Sequence, residues 1–201
     1  VGACFQAHAV MSHASAHKPA NHPHSGPLDW RSLVQWLQAD GMITAQEAQR
    51  IHTRCAQAES VQHPLVRLAS VVVHRASDDK PMDIELLTQW LAARAGLAYL
   101  RIDPLKVDVG KVADAMSAVY AERHKVLPVQ VTTHELVVAT AEPFLVDWVA
   151  EVERQSRRSV RRVLASPQEI VRYTAEFFAL AKSVRAAAKA GANASSSFEQ
   201  L

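Results

Sequence analysis

Three kinds of residue in this chain are suited to chemistry: clustered histidines, two cysteines and a run of arginines. His8, His13, His17, His22 and His24 sit near the N-terminus among Ala, Ser, Pro and Asn. Neutral imidazoles ligate metals well, but the spacing is irregular and no cysteine or carboxylate pattern joins them. Cys4 and Cys55 form neither a Cys-x-x-Cys pair nor a disulfide framework. Nucleophile elbows and His-Glu-x-x-His are missing. A phosphate loop needs a glycine-rich turn ending in Lys-Ser/Thr, so that backbone amides and one lysine cradle the phosphates. None of the 6 glycines sits in such a turn. The sequence thus predicts no catalytic residue, no metal and no cofactor in this chain.

The conspicuous charged feature is Arg154, Arg157, Arg158, Arg161 and Arg162, at the end of one helix and the start of a strand. Such a group either docks an acidic partner, a nucleotide or an anionic membrane leaflet, or is a solvated helix end whose cations meet the dipole. Nucleic-acid binding needs aromatic residues interleaved with the basic ones, and none interleaves here. The net charge of +2 gives no general attraction to polyanions. Trp30 and Trp36 are the second candidate, because a short helical pair rarely buries two indoles by itself. They either pack on the main domain or anchor a partner helix. The partner-binding candidates are therefore Trp30, Trp36, Arg154, Arg157, Arg158 and Arg161.

The elements that must position these residues fall into two units. Residues 1–27 lack the apolar content to offset backbone ordering, which predicts a disordered His-rich tail. A helical subdomain over 28–76 follows. Asp29 caps a helix carrying Leu33, Trp36 and Leu37. Asp40-Gly41 stops it, and Thr44 with Glu47 forms a capping box for a second helix reaching about Ala58. A third helix starts near Pro64, with Leu65, Leu68 and Val72 on one stripe. Residues 77–82 are polar and read as a linker.

A second unit over 83–182 alternates helix and strand. Asp83 and Gly96 bound a helix with Ile84, Leu87 and Leu91 on one face, and Tyr99–Ile102 is a short strand. Val109, Val112, Ala113, Met116, Val119 and Tyr120 fall on one helical stripe. Val126–Val131 and Leu136–Thr140 form a hairpin across Thr133-His134. Then come a helix after Pro143, a strand at Ser159–Leu164 and a helix opened by Ser166-Pro167, with Ile170, Thr174, Phe177 and Ala181 inward. Residues 183–201 read as a flexible linker. The order α-β-α-β-β-α-β-α predicts an α+β fold, a small two-layer domain preceded by a short helical subdomain.

Four blocks in this order resemble the N-terminal domain of the bacterial type II secretion and type IV pilus assembly ATPases, the GspE/PilB family. They are Leu91–Pro104, Ala121–Val129, Leu136–Pro143 and Arg162–Ile170. One departure is Glu142, where the family usually has Asp before the Pro; the change is expected to weaken a helix cap. The resemblance implies a non-catalytic docking domain that tethers a C-terminal ATPase motor to the inner-membrane platform, in type II systems through the cytoplasmic part of the L protein. It also implies a cytoplasmic location, peripheral to the inner membrane through that platform, while the charge and aromatic pattern above predict no nucleic-acid partner. The alternative is a cyclic di-GMP sensor, since some members bind that nucleotide through motifs opening on Arg-Leu-Gly. Here the corresponding stretch is Trp30-Arg31-Ser32-Leu33-Val34, without that Leu-Gly pair. The chain starts on Val1 rather than Met and carries no secretory signal, which fits a trimmed or partial cytoplasmic product.

Overall fold

The computed structural model describes residues 25–57 and 60–198, with side-chain surroundings as far as 189. Of the expected tail over 1–27, residues 1–24, with the histidines and Cys4, lie outside the described residues. Helices α1 (Trp30–Ala39), α2 (Ala45–Ala56) and α3 (Pro64–Ser70) come first. Asp29 caps α1 through the amides of Arg31 and Ser32, and Thr44 caps α2 through Glu47 N. These bonds satisfy donors that a helix start would otherwise leave unpaired. Leu33, Leu37, Ile51, Leu65 and Leu68 are fully buried between these helices, each contributing about 1.5–3 kcal/mol of transfer free energy.

The expected 77–82 linker is instead the closure of a hairpin. Strand β1 (Val73–His74) pairs antiparallel with β2 (Pro81–Met82), and Val73 and Met82 are buried in the first core. Val72, expected on the inner stripe of α3, lies beyond the helix in the left-handed region (φ 54) and is exposed. Helix α4 (Ile84–Ala95) ends at Gly96, whose φ of 67 suits the residue without Cβ. Leu87, Trp90 and Leu91 of α4 complete the core formed by α1, α2 and α3. The core thus divides after α4, because the apolar side of that helix faces the helical unit.

Four strands build the second unit: β3 (Ala98–Tyr99), β4 (Val126–Val131), β5 (Glu135–Thr140) and β6 (Ser159–Leu164), in the order β3-β6-β5-β4. The β4–β5 pair is antiparallel, with a register shift at Pro128/Gln130, while β6 runs parallel to both β5 and β3. The helix expected across 109–120 is two helices, α5 (Val109–Ala115) and α6 (Ala118–His124). Met116 is extended (φ −150) and Ser117 caps α6 through Tyr120 N, so the turn restarts and Val119 points to solvent. Helix α7 (Asp147–Ser156) joins β5 to β6, and α8 starts at Pro167.

The α+β class is as expected, with helices on both sides of β5. Its side chains alternate: Val137 and Ala139 pack with Val112, Ile170, Tyr173 and Phe177, whereas Leu136 and Val138 pack with Ala121, Trp148 and Val152. Period-two alternation puts those sets on opposite faces, one layer more than a two-layer reading. Ile170, Thr174, Phe177 and Ala181 are all buried along α8. Beyond them α8 continues as helix to Phe198, where the sequence suggested a linker.

Candidate functional site

The six candidate residues do not form one surface. Trp30 and Trp36 are 7% and 8% exposed and belong to the first core. Trp36 meets Phe144, in the β5–α7 loop, edge-on at 5.7 Å. The Arg94 guanidinium lies 5.1 Å over the Trp36 ring and pairs with Asp40, which also accepts Trp90 Nε1–H at 2.9 Å. The reading in which the indoles pack inward therefore accounts for Trp36.

Among the arginines, Arg154 and Arg157 are exposed at the end of α7. Arg157 closes that helix in the left-handed conformation (φ 54, ψ 36). Arg158 folds back to donate to Thr132 O at 2.7 Å and Ser156 O at 3.1 Å. Arg161 pairs with Glu135 on the neighbouring strand at 3.0 Å. Arg162, on the opposite face of β6, donates to Pro143 O at 2.7 Å, and burial lowers its pKa. A strand alternates its faces, so adjacent arginines on β6 cannot share a patch. Arg158, Arg161 and Arg162 thus serve local structure on both sides of the sheet, which leaves Arg154 and Arg157 as the exposed members of the run.

The structure gathers a different group around Trp30. Arg31 stacks on the indole at 4.5 Å and Arg67 at 5.2 Å, with the His52 ring 5.3 Å away. Arg67 also donates to Cys55 O, and burial raises the pKa of the Cys55 thiol. A cleft of about 700 Å³ opens beside them, lined by Trp30, Arg31, Arg67, Ser60 and Gln62. Guanidinium planes bind phosphates in bidentate fashion and stack on flat rings, so this cleft suits a phosphorylated aromatic ligand. Arg31 adjoins Trp30 in sequence, but nothing local marks Arg67; only the packing of α3 on α1 brings it there.

A second group joins the two units. Glu142, just past β5, accepts a hydrogen bond from Leu28 N at 2.8 Å, and its other oxygen lies 3.2 Å from His63 Nε2. Helix α7 starts on Val146 with no side-chain cap. The expected cap role of Glu142 is therefore not used. The longer Glu side chain reaches the helical unit instead. Among the described residues, no group of three or more His, Cys, Asp and Glu is arranged to hold a metal. No described helix is long and apolar enough to cross a membrane.

Comparison with known proteins places this geometry. Residues 95–184 match the MshEN domain. The chain is 33% identical over 168 residues to the type IV pilus assembly ATPase TfpB of Acinetobacter baylyi, a match covering 82% of this chain. It spans 29% of that relative's length. A solved structure of MshE with cdg shares the fold at a TM-score of 0.52 and 15% identity, over 72% of this chain and 97% of that one.

Proposed function

The chain belongs to the GspE/PilB-like ATPase family as an N-terminal domain containing MshEN, and from that premise we propose that it docks the motor of its parent ATPase on the inner-membrane platform. MshEN is a regulatory domain rather than the motor. The observation that carries the docking reading is α8. Its first half is locked into the second core by Ile170, Thr174, Phe177 and Ala181, and the helix then continues to Phe198. A helix rising about 1.5 Å per residue is a stiffer connection than a coil, so the core's position on the platform would be passed to whatever follows. The parent's ATPase activity, a pilus-assembly role and a cytoplasmic place beneath the membrane belong to the same reading. The test is equilibrium binding of this chain to the purified cytoplasmic domain of the platform protein. Binding below tens of micromolar is expected, and its absence there counts against docking.

A second reading is favoured by the Trp30 cleft together with the fold shared with MshE. In it the helical unit senses a cyclic dinucleotide, with Arg31 and Arg67 meeting phosphates or stacking on bases. Calorimetric titration with cyclic di-GMP separates the two. A sensor releases ligand-dependent heat that Arg67→Ala abolishes, whereas a pure adaptor releases none.

A further inference from the structure

A half-open cleft of about 520 Å³ lies at the joint between the two cores, within the range of small-molecule sites. Its floor is the carboxyl end of β5, at Ala141 and Glu142, and one wall is the start of α8. β5 and β6 are parallel. In open sheets, ligands occupy the crevice outside the carboxyl ends of parallel strands, where the following helix presents its positive N-terminus.

The opposite wall carries an independent sign of a ligand. The His63 side chain is only 9% exposed and lines the cavity. Its Nδ1 accepts a hydrogen bond from Leu65 N at 3.2 Å, which assigns the ring proton to Nε2. That Nε2 makes no hydrogen bond, and the Glu142 carboxylate 3.2 Å away is an electrostatic neighbour only. Buried donors are seldom left unpaired. Lys125 and Arg172 line the same space, with Val66, Ile170 and Val171 forming apolar walls. Arg172 is itself paired with Glu176 at 3.0 Å, so Lys125 and the helix N-terminus are what offset the carboxylate of Glu142, whose Oε2 is already engaged by Leu28 N.

We infer that this cavity binds a small organic anion with an apolar body, of mononucleotide size or below. The anionic group is held by Lys125 and the first turn of α8, and an acceptor atom meets His63 Nε2. Because the walls come from both units, occupancy braces the joint between them. The Val61–Gln62 segment lines both this cavity and the Trp30 cleft, so the sites are neighbours and are distinguished by their unshared residues.

The test is amide chemical-shift mapping on the full ¹⁵N-labelled chain, titrated separately with GMP and with decanoate. These probes carry the same chemistry from a nucleotide and a fatty-acid source. Saturable shifts at His63, Lys125 and Val171 with either probe are expected, and the effective probe identifies the source. Lys125 has φ 51, so Lys125→Gly suits the backbone while removing the cation, and affinity should fall about tenfold. The proposal is overturned if neither probe moves those amides at millimolar concentration. It is equally overturned if the shifts centre on Arg31 and Arg67, or if Lys125→Gly binds as tightly as the parent.

Discussion

The carboxylate of Glu142 accepts a hydrogen bond from the amide of Leu28 at 2.8 Å, across 114 residues of chain. Leu28 opens the first core and is 6% exposed, so the bond fixes the start of the helical unit to the end of β5. Glu142→Asp withdraws the carboxylate by one methylene and strands the Leu28 amide. A loss of about 1–2 kcal/mol is expected in urea unfolding. Glu142→Gln keeps the reach and an acceptor oxygen, and should lose less. Equal stability of Glu142→Asp and the parent would remove this tie from the account.

Glu47 titrates as part of a network. Arg50 donates to it from Nε and from the terminal nitrogen, both at 2.6 Å, and His74 N donates at 2.7 Å. Arg50 holds the Glu47 carboxyl down to about 2 from an ordinary 4.5, with the His74 amide adding to the effect against the opposing pull of burial. Since the folded pKa is depressed, the unfolded chain binds more protons between those values. The stabilisation is complete above pH 4.5 and is lost as pH falls toward 2. Solvent screening around the partly exposed Arg50 reduces the contribution at neutral pH to about 1–2 kcal/mol. Glu47→Gln should therefore be less stable than the parent at pH 7, with the gap shrinking below pH 4.5 and closing only as pH reaches about 2, measured as the difference in urea midpoints.

Asp40 is the partner of a buried cation. The Arg94 side chain is 6% exposed and pairs with Asp40, which also accepts from Trp90 Nε1. Asp40→Ala leaves that guanidinium uncompensated and is expected to cost about 3–5 kcal/mol. Pairing it with Arg94→Met removes the stranded charge. The double variant should recover much of the loss in chemical denaturation, and no recovery would mean that the charge is not the cause.

Arg157 sits in the left-handed region at the close of α7, where a Cβ is disfavoured. Arg157→Gly should stabilise by about 0.5–1 kcal/mol, less the extra entropy glycine gives the unfolded chain. The same variant removes an exposed arginine from the docking candidates. Unchanged platform binding alongside a raised Tm would assign the residue a purely local role.

Local chemistry made much of the fold legible. Asp29, Thr44, Asp83 and Gly96 each close a helix end as their types require, and β4 and β6 occupy the ranges expected for them. Ser117 was a legible signal too, a cap residue inside an apolar stripe, yet the continuous helical period of that stripe outweighed it. Capping, left-handed turns and period-two alternation involve neighbours a few residues apart, so the sequence carries them by itself.

The sequence by itself determined where most helices and the longer strands begin, but not the β1–β2 hairpin or the α5–α6 break, together with most of the apolar faces and the family the chain resembles. The tertiary structure alone decided that α4 completes the first core, that β6 inserts parallel to β5, and that Arg67 stacks on Trp30 while Glu142 reaches Leu28. Those relationships join residues far apart in the chain. Their energies come from burial and from pairing polar groups that water would otherwise satisfy, and neither exists until the chain has folded back on itself.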